Sequence, residues 1–587
     1  MYLEKINSPK DLRELNMNEC TELASEIRGA LLRKASNFGG HLSSNLGIVE
    51  ITIAVHYVFD SPKDKIIFDV SHQCYTHKIL TGRKNGFLNP RDYGEINGYT
   101  NPDESEHDYF RVGHTATSIS LACGMATARD LRGGKENIIA IIGDGSLSGG
   151  EALEGLDYGG SDIKGNLIII FNDNQMSIAE NHGGIYKNLK LLRETNGEAE
   201  NNLFKAFGYD YRFVEDGNNV EAVVKALEDV KDIDHPVVVH ICTVKGKGYE
   251  YAEVNKERTH WVRPFNLETG GENNSFNGER YDRIVRDHLM EKMKDNPDVV
   301  TMIAAVPDAL SFTEEYRKEA GNQFIDVGIA EEHAISMAAG IAKNGGKPVF
   351  ATMSTFFQRT YDQISQELCI NKMPATLIIV NASVYAANDI THIGIFDIPI
   401  LSNIPNFVYL APTNKQEYLA MLDWAIDQQE WPVAVRAPRN GVFYAKDEVD
   451  INYSNLNKYK VTQRGKNIAV IALGDFYQLG ENLVQMIEEK YGFIPTLINP
   501  RYITGIDKQL LSELKNNHEV VITLEDGVLD GGMGQKISSF FGTGDLKVLN
   551  YGLRKEFLDR YNVNEILEKN RIREDLILED LESVYRS

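Results

Sequence analysis

Apolar residues occur along the chain in two patterns, short continuous runs and helical spacings, which alternate through most of its length. The clearest case begins with an apolar run at Asn137–Ile142 that ends at the turn Gly143-Asp144-Gly145. A helical spacing of apolar residues continues to Leu156, and a second apolar run, Leu167–Phe171, ends at Asn172-Asp173-Asn174. This order predicts a strand, a turn, a helix, a second strand and a second turn.

The same alternation elsewhere predicts an α/β fold with parallel sheets. Helices are predicted at residues 12–36 and 48–59, and polar stretches at 266–280 and 447–464 separate groups of elements. Further apolar runs predicted to form strands are Lys65–Val70, Pro236–Thr243, Val299–Ala305, Pro348–Thr352, Thr376–Val380, Ile468–Leu473 and Val520–Thr523.

Length and charge limit the function classes. With 587 residues the chain is too long for a single hydrophobic core. Its 61 basic and 85 acidic residues give a net charge of −24. This acidic balance argues against nucleic acids and anionic membranes as partners, so any phosphate site has to be local.

The cysteines and the N-terminal sequence indicate a compartment. Five scattered cysteines without a CxxC pair favour reduced thiols and argue against a structural zinc site. The N-terminal residues are too charged for a signal peptide, and no apolar run approaches the length of a membrane span. We therefore expect a cytoplasmic protein.

The two polar turns of the first pattern carry the candidate chemistry. In an open parallel sheet both turns lie at the carboxyl ends of the strands, where ligands bind. Asp144 offers a carboxylate, Asn174 an amide oxygen and the backbone near Met176 a carbonyl, a donor set that suits Mg²⁺. Glycines such as Gly145 allow backbone N–H groups to approach a diphosphate. The alternative is a pair of unrelated tight turns.

Three histidines, His41, His72 and His114, lie at glycine-rich turns or a predicted strand end. For each one alone, a side chain satisfied by the local backbone is the better interpretation. Their sequence context changes that interpretation.

Nine sequence segments, spread over most of the chain, occur in a recognisable order. They are GGHLSSNLG, DVSHQCYTHKILTGR, GHTATSIS, GDGSLSGGEALEGL, KGKGYE, DVGIAEEHA, STFFQRTYDQ, THIGIFD and VRAPRNG. With these segments the chain resembles the 1-deoxy-D-xylulose-5-phosphate synthase family of transketolase-like thiamine diphosphate (ThDP) enzymes. The resemblance implies two ThDP-binding α/β domains with parallel sheets, residues 1–275 for the diphosphate and Mg²⁺ and residues 276–450 for the pyrimidine, followed by a smaller α/β domain at 451–587.

The resemblance also implies roles for individual residues. Glu331 would bind a ring nitrogen of the aminopyrimidine and so activate the cofactor, although an acid at a helix start is equally expected from the helix dipole. His41, His260 and His392 would serve the substrate as catalytic groups, and Asp144, Asn174 and the Met176 carbonyl would hold the metal. The expected ThDP contacts are His72, Gly113, His114, Thr115, Gly145, Ser146, Asn174, Tyr249, Glu331 and Phe356.

The implied reaction joins pyruvate, after loss of CO₂, to glyceraldehyde 3-phosphate. On the acceptor side the chain departs from the family pattern, because Asn381 replaces a phosphate-binding arginine and Asn388 replaces an aspartate. Arg359 and Arg436 remain as candidate substrate contacts. Losing a guanidinium removes a bidentate phosphate contact. A different aldehyde acceptor, or a ketose donor, is therefore the alternative hypothesis.

Two further expectations come from the resemblance. ThDP enzymes bind the cofactor at domain or subunit interfaces, so a homodimer is expected. Residues 181–202 form a polar segment that is shorter than the mobile insertion usual in the family, which puts a gating role there in doubt. A paralogue that binds ThDP without catalysis is a third hypothesis, against which the retention of Glu331, His41 and His260 argues.

Overall fold

The computed structural model describes residues 1–273 and 278–585. These residues form two compact units, one of residues 1–273 with 328–330 and one of residues 278–327 with 331–585. The predicted domain boundary at 275/276 lies outside the described residues, and the one at 450/451 lies within the second unit. Both boundaries stay predictions.

A parallel sheet organises the first unit. Its strand order is β2-β3-β4-β6-β5, and every neighbouring pair in it is parallel. A separate antiparallel pair, β1 and β7, places His41 opposite Trp261. The strands are β1 (Gly40–His41), β2 (Lys65–Phe68), β3 (Ile138–Gly143), β4 (Leu167–Asp173), β5 (Asp210–Val214), β6 (Pro236–Cys242) and β7 (Trp261–Val262).

Both faces of this sheet are buried, which explains why its strands are continuous apolar runs. In β3, Ile139 and Ile141 join one hydrophobic cluster, whereas Ile138 and Ile142 join another on the opposite face. The helices are α1 (Met17–Phe38), α2 (Ser43–Gly47), α3 (Val49–Val58), α4 (Tyr75–Lys78), α5 (Asn85–Leu88), α6 (Ser118–Leu131), α7 (Gly150–Ser161), α8 (Gly184–Glu194), α9 (Leu203–Ala206), α10 (Val220–Glu228) and α11 (Glu250–Val254).

The second unit contains two sheets. One has the order β12-β13-β11-β10-β8-β9 and the other β14-β16-β15-β17-β18, in which β14 alone is antiparallel to its neighbour. The strands are β8 (Val299–Ile303), β9 (Phe324–Asp326), β10 (Lys347–Met353), β11 (Thr376–Val380), β12 (Val408–Leu410), β13 (Val433–Arg436), β14 (Lys460–Gln463), β15 (Asn467–Ala472), β16 (Thr496–Asn499), β17 (His518–Val528) and β18 (Lys547–Leu553).

Helices cover both sheets of the second unit, as the alternation of elements predicts. They are α12 (Tyr281–Asp295), α13 (Glu314–Ala320), α14 (Glu331–Lys343), α15 (Tyr361–Gln363), α16 (Asp397–Leu401), α17 (Lys415–Asp427), α18 (Tyr477–Tyr491), α19 (Lys508–Leu514), α20 (Met533–Phe541), α21 (Val563–Lys569) and α22 (Glu574–Tyr585). Among the described residues, no helix is both long and apolar enough to span a membrane.

Residues 181–202 look like a polar segment in the sequence, but in the structure part of them forms a helix with a buried face. This helix is α8, whose Leu189 and Leu192 are buried against the first unit's core. Ile185 and Tyr186 pack beside them. The apolar residues recur at intervals of three or four, so this short segment has one face that can be buried.

Candidate active site

The two polar turns meet at one edge of the first unit's sheet. Gly143 of β3 pairs with Asn172 of β4, so Asp144 and Asn174 follow at neighbouring strand ends. Asp144 opens a 3₁₀ turn, Asp144–Ser148, and the nearby backbone N–H of Asn174 favours the charged form of its carboxylate. The sheet therefore brings the two predicted metal ligands together.

Both residues present oxygen atoms that the protein leaves unsatisfied. Asp144 Oδ1 and Asn174 Oδ1 are buried and have no hydrogen-bond partner among the described residues. Burial raises the pKa of Asp144 to about 7, and the nearby Asp173 carboxylate adds to the shift. Buried polar atoms are rarely left unpaired, and a hard divalent cation would satisfy this pair. The donor set therefore fits Mg²⁺.

The backbone beside this pair has the conformation that a tight diphosphate site requires. A Cβ atom at Gly145 would lie 2.8 Å from Ser177 Cα, so only glycine fits there. Gln175 has a positive φ of 65°, which turns the chain between Asn174 and Met176. These local constraints explain the residue types of the two turns.

Lys245 is a cation beside these turns that the sequence analysis did not single out. Its Nζ donates to the Ser177 carbonyl, and the side chain is buried. Burial lowers the pKa of Lys245 to about 8, while the Asp144 carboxylate acts in the opposite direction. A buried ammonium here supplies the positive charge that a diphosphate needs. Its sequence signal is its place at the start of the segment KGKGYE, shortly after β6.

The loop that contains Gly113, His114 and Thr115 is held by the end of β2. The buried carboxylate of Asp69 accepts hydrogen bonds from the backbone N–H of Ala116 at 3.0 Å and of Ser118 at 3.1 Å. The nearby side chain of Ser146, in the turn that begins at Asp144, also favours the charged form of Asp69. Asp69, which the sequence analysis missed, thus holds the loop and lies close to the turn at Asp144.

Three of the predicted histidines form one cluster. The ring centroids of His41 and His72 are 5.0 Å apart, those of His41 and His260 5.5 Å, and those of His72 and His260 5.2 Å. Burial lowers the pKa of His260 well below its ordinary value, and the charges of Lys245 and the other two histidines add to this. His260 is therefore neutral near pH 7 and can accept or donate a proton.

Tyr249 lies at the margin of this region, with its side chain half-buried. Its ring is 6.0 Å from that of Phe265, and its hydroxyl donates to the Leu267 carbonyl at 3.0 Å. The ring face, rather than the hydroxyl, is thus the part of Tyr249 that suits a cofactor contact.

In the second unit, Glu331 is the first residue of α14. It is 3% exposed, and its Oε2 atom has no hydrogen-bond partner among the described residues. Burial raises the pKa of Glu331 to about 7, against the opposing charge of Arg359. A helix-start acid that only served the dipole would be solvated, so this burial favours a chemical role.

Phe356, Arg359 and His392 lie near one another in the same unit. The rings of Phe356 and His392 are 5.7 Å apart, and Thr355 Oγ1 donates to the Thr391 carbonyl at 3.3 Å. Phe356 is half-buried, whereas its neighbour Phe357 is buried in the core. Phe356 therefore has the partial exposure that an apolar cover for a ring requires.

The two altered acceptor-side residues occupy loops. Asn381 follows β11 with a φ of 54°, a left-handed conformation that Asn tolerates well. Asn388 is exposed, and its backbone carbonyl accepts a hydrogen bond from the backbone N–H of Arg560 at 2.6 Å. Beside it, hydrogen bonds from His392 and Thr391 outweigh the effect of burial and hold the pKa of Asp389 below its ordinary value.

Arg436 does not fit the substrate role expected from the sequence. It is 4% exposed, its Nε donates to Asp397 Oδ2 at 2.8 Å, and its Nη1 donates to Asp526 Oδ1 at 2.5 Å. Two buried carboxylates thus already balance its charge, which leaves nothing for a phosphate. Arg439, in the same sequence segment, is exposed, and Asp475 accepts from its backbone N–H at 3.0 Å.

Comparison with known proteins covers nearly the whole chain. Family models match as 1-deoxy-D-xylulose-5-phosphate synthase at residues 3–200 and 194–243, as the transketolase pyrimidine-binding domain at 280–443 and as the transketolase C-terminal domain at 457–574.

Individual relatives agree with these models. A 1-deoxy-D-xylulose-5-phosphate synthase of Caldanaerobacter subterraneus is 38% identical over 97% of this chain and 96% of its own. One of Alkaliphilus oremlandii is 37% identical over 100% of this chain and 99% of its own. A solved transketolase from Pichia stipitis is 16% identical, and the match covers 96% of this chain and 97% of that chain. Its TM-score is 0.44, so this structure is too distant to inform the site.

Proposed function

The chain belongs to the 1-deoxy-D-xylulose-5-phosphate synthase family, and we propose that it converts pyruvate and glyceraldehyde 3-phosphate into 1-deoxy-D-xylulose 5-phosphate and CO₂. Enzymes of this family are transferases that depend on ThDP and a divalent metal. The observation that carries the proposal is the pair of buried, unsatisfied oxygens of Asp144 and Asn174, which are donors that suit a divalent metal.

The first unit supplies the groups that hold the cofactor. ThDP, when bound, provides the electron sink for the decarboxylation of a 2-oxo acid. Asp144, Asn174 and the carbonyl of Met176 hold Mg²⁺, and Lys245 adds a positive charge for the diphosphate. Gly145 and Ser146 let the backbone approach the diphosphate closely.

Glu331 and the histidines are the residues that hold and transfer protons. With a pKa raised to about 7, Glu331 can hold a proton at neutral pH and share it with a ring nitrogen of the pyrimidine. Neutral His260, together with His41, can then exchange protons with substrate oxygens. A contact of 2.8 Å between His392 Nδ1 and Thr391 Oγ1 fixes the orientation of the His392 ring, which serves the acceptor.

Pyruvate and glyceraldehyde 3-phosphate are the substrates that the comparisons favour over a different acceptor or a ketose donor. The relatives that match nearly the full length share one name, 1-deoxy-D-xylulose-5-phosphate synthase. Arg359 remains as a cation on the acceptor side, although Asn381 lacks the charge of the arginine that it replaces. We therefore expect the same product with a weakened phosphate contact.

The product distinguishes these possibilities. Purified protein is incubated with ThDP, Mg²⁺ and carbon-labelled pyruvate, with either glyceraldehyde 3-phosphate or unphosphorylated glyceraldehyde. We expect one CO₂ for each molecule of 1-deoxy-D-xylulose 5-phosphate, identified by mass, and much slower reaction with the unphosphorylated aldehyde. The absence of CO₂ release with both acceptors would contradict the proposal.

The assembly and location are further parts of the proposal. A homodimer is proposed because ThDP enzymes bind the cofactor at domain or subunit interfaces, and light scattering on the purified protein tests it. A cytoplasmic location is proposed because the five cysteines are free thiols, as expected in a reducing compartment.

A further inference from the structure

The segment that follows the second polar turn, Asn181–Arg193, contacts both turns of the metal site. It includes most of α8 and reaches the site through the side chains of three residues, Asn181, Tyr186 and Arg193. In the family this region usually carries a longer mobile insertion, for which a gating role would be natural. The contacts in this chain indicate a different role.

The first contact selects one oxygen of the metal-site carboxylate. Asn181 Nδ2 donates to Asp144 Oδ2 at 2.6 Å, while Asp144 Oδ1 stays buried without a partner among the described residues. Only the amide nitrogen can donate to a carboxylate, so the orientation of the Asn181 amide is fixed. The bond leaves Oδ1, rather than Oδ2, available to a cation.

The other two contacts fix the backbone around the site. The Tyr186 hydroxyl donates to the carbonyl of Asp144 at 3.1 Å and lies 3.4 Å from that of Gly145. Arg193 Nη1 donates to Asp173 Oδ2 at 2.5 Å, an oxygen that His240 Nε2 also contacts at 3.0 Å. Asp173 directly precedes Asn174, so each of the two turns is held from the same segment.

The segment Asn181–Arg193 is held in place by its own packing and hydrogen bonds. Leu189 and Leu192 of α8 are buried in the core of the first unit. Asn188 donates to the Asn201 carbonyl at 2.7 Å and accepts from the Leu203 N–H at 3.0 Å. Buried apolar contacts at one face and the hydrogen bonds of Asn188 in mid-helix oppose the opening motion that a gate requires.

We propose that Asn181 is a positioning residue of the divalent-metal site, which orients the Asp144 carboxylate so that Oδ1 faces the ion, and that Asn181–Arg193 is a wall of that site. This inference rests on the proposed function, because it takes the two turns to be a Mg²⁺ and diphosphate site. Hydrogen-bond partners of metal ligands commonly change metal affinity by about 10–100-fold.

The test measures metal affinity in full-length protein. Mn²⁺ is titrated into the protein at a fixed ThDP concentration, with protein-free ThDP as the blank, and free Mn²⁺ is followed by electron paramagnetic resonance. We expect Asn181→Ala to weaken Mn²⁺ binding about tenfold or more, and Tyr186→Phe, which removes the hydroxyl beside the Asp144 and Gly145 carbonyls, to weaken it less. Lys190→Ala is the matched control, because Lys190 is exposed on α8 and pairs with Glu194 at the surface.

A second readout separates positioning from general damage. If Asn181 acts through the metal site, high Mg²⁺ restores turnover of Asn181→Ala to nearly the level of the unmodified protein, with a raised Mg²⁺ requirement. Asn181→Ser, which shortens the side chain but keeps it polar, should show the same rescue.

The outcomes that overturn the inference are distinct from failure of the proposed function. Equal Mn²⁺ affinity in Asn181→Ala and Lys190→Ala, or turnover that high Mg²⁺ does not restore in either Asn181 variant, would overturn the positioning role alone. If the unmodified protein bound ThDP equally well without a divalent metal, the proposed function and this inference would both fail.

Discussion

The metal side of the first unit and the acceptor side of the second unit follow the family pattern to different degrees. On the metal side, Asp144 and Asn174 are present and their unsatisfied oxygens lie at adjacent strand ends. On the acceptor side, Asn381 replaces an arginine, and Arg436 is neutralised by two carboxylates. A metal restricts its ligands tightly, whereas several kinds of donor can bind a phosphate, so the acceptor side has more freedom to vary.

A second contrast concerns the two buried acids. Burial raises the pKa of both Asp144 and Glu331 to about 7. A hydrogen bond from Asn181 and the charge of Lys245 favour the charged form of Asp144, whereas the Arg359 charge that favours the charged form of Glu331 is opposed by the adjacent Glu332. One environment suits a carboxylate that binds a cation, and the other suits an acid that holds a proton.

Replacing Glu331 should have the largest effect. Glu331→Gln keeps the size of the side chain but removes the acidic proton, so we expect turnover to fall by about 10³-fold while ThDP still binds. Steady-state kinetics and calorimetry measure the two quantities. Glu332→Gln, one residue further along α14, is the control and should retain activity; a variant at Glu331 that turned over normally would disprove its role.

Replacing Arg436 distinguishes two roles for its charge, an ion pair with buried carboxylates and a contact to the substrate phosphate. Arg436→Met leaves Asp397 and Asp526 buried without their cation, so we expect unfolding free energy to fall by about 3 kcal/mol in urea titrations. Arg439→Met, at an exposed side chain, should cost far less stability. Unchanged stability combined with a raised KM for glyceraldehyde 3-phosphate would restore the substrate role of Arg436.

The pH dependence of stability should separate Glu331 from an ordinary surface acid. Its pKa is raised to about 7 from 4.5, so the unfolded chain loses this proton at lower pH than the folded protein does. Stability from this group is therefore full below pH 4.5 and lost as pH rises towards 7.

This shift has a measurable consequence in cofactor-free protein. Glu331→Gln should be more stable than the unmodified protein at pH 8, by about 3 kcal/mol, with the difference vanishing near pH 4.5. Urea unfolding at several pH values measures it. A constant difference across that range would mean that Glu331 titrates normally.

Restoring the arginine of the family should have the smallest effect. Asn381→Arg adds a guanidinium on the acceptor side, and we expect KM for glyceraldehyde 3-phosphate to fall about tenfold while KM for pyruvate is unchanged. The positive φ of Asn381 makes the longer side chain strained, at a cost of about 1 kcal/mol in stability. Asn381→Gln controls for length; an equal gain from it would exclude a charge effect.

The sequence predicted best those features that local patterns determine. Thr376–Val380 forms a strand with the predicted limits, because a continuous apolar run suits a buried parallel strand. The Asp144 and Asn174 turns meet because neighbouring parallel strands end at one edge. Both results require only sequence-local information and the geometry of a sheet.

Contacts between distant parts of the chain could not be predicted. The role of Arg436 depends on Asp526, which lies 90 residues away in the sequence. Asp69 and Lys245 stood in recognised sequence segments, yet their function depends on burial against other segments. Neither the burial of a single charged side chain nor long-range ion pairing has a signature in residue spacing.

The central claim is that the turns after β3 and β4 bind a diphosphate through a divalent ion, and calorimetric titration of ThDP into the purified protein tests it most directly. With Mg²⁺ present we predict saturable binding, which is lost when a chelator removes the metal and strongly weakened in Asp144→Ala. Binding that is equally strong without a divalent ion, or unaffected by Asp144→Ala, would contradict the claim.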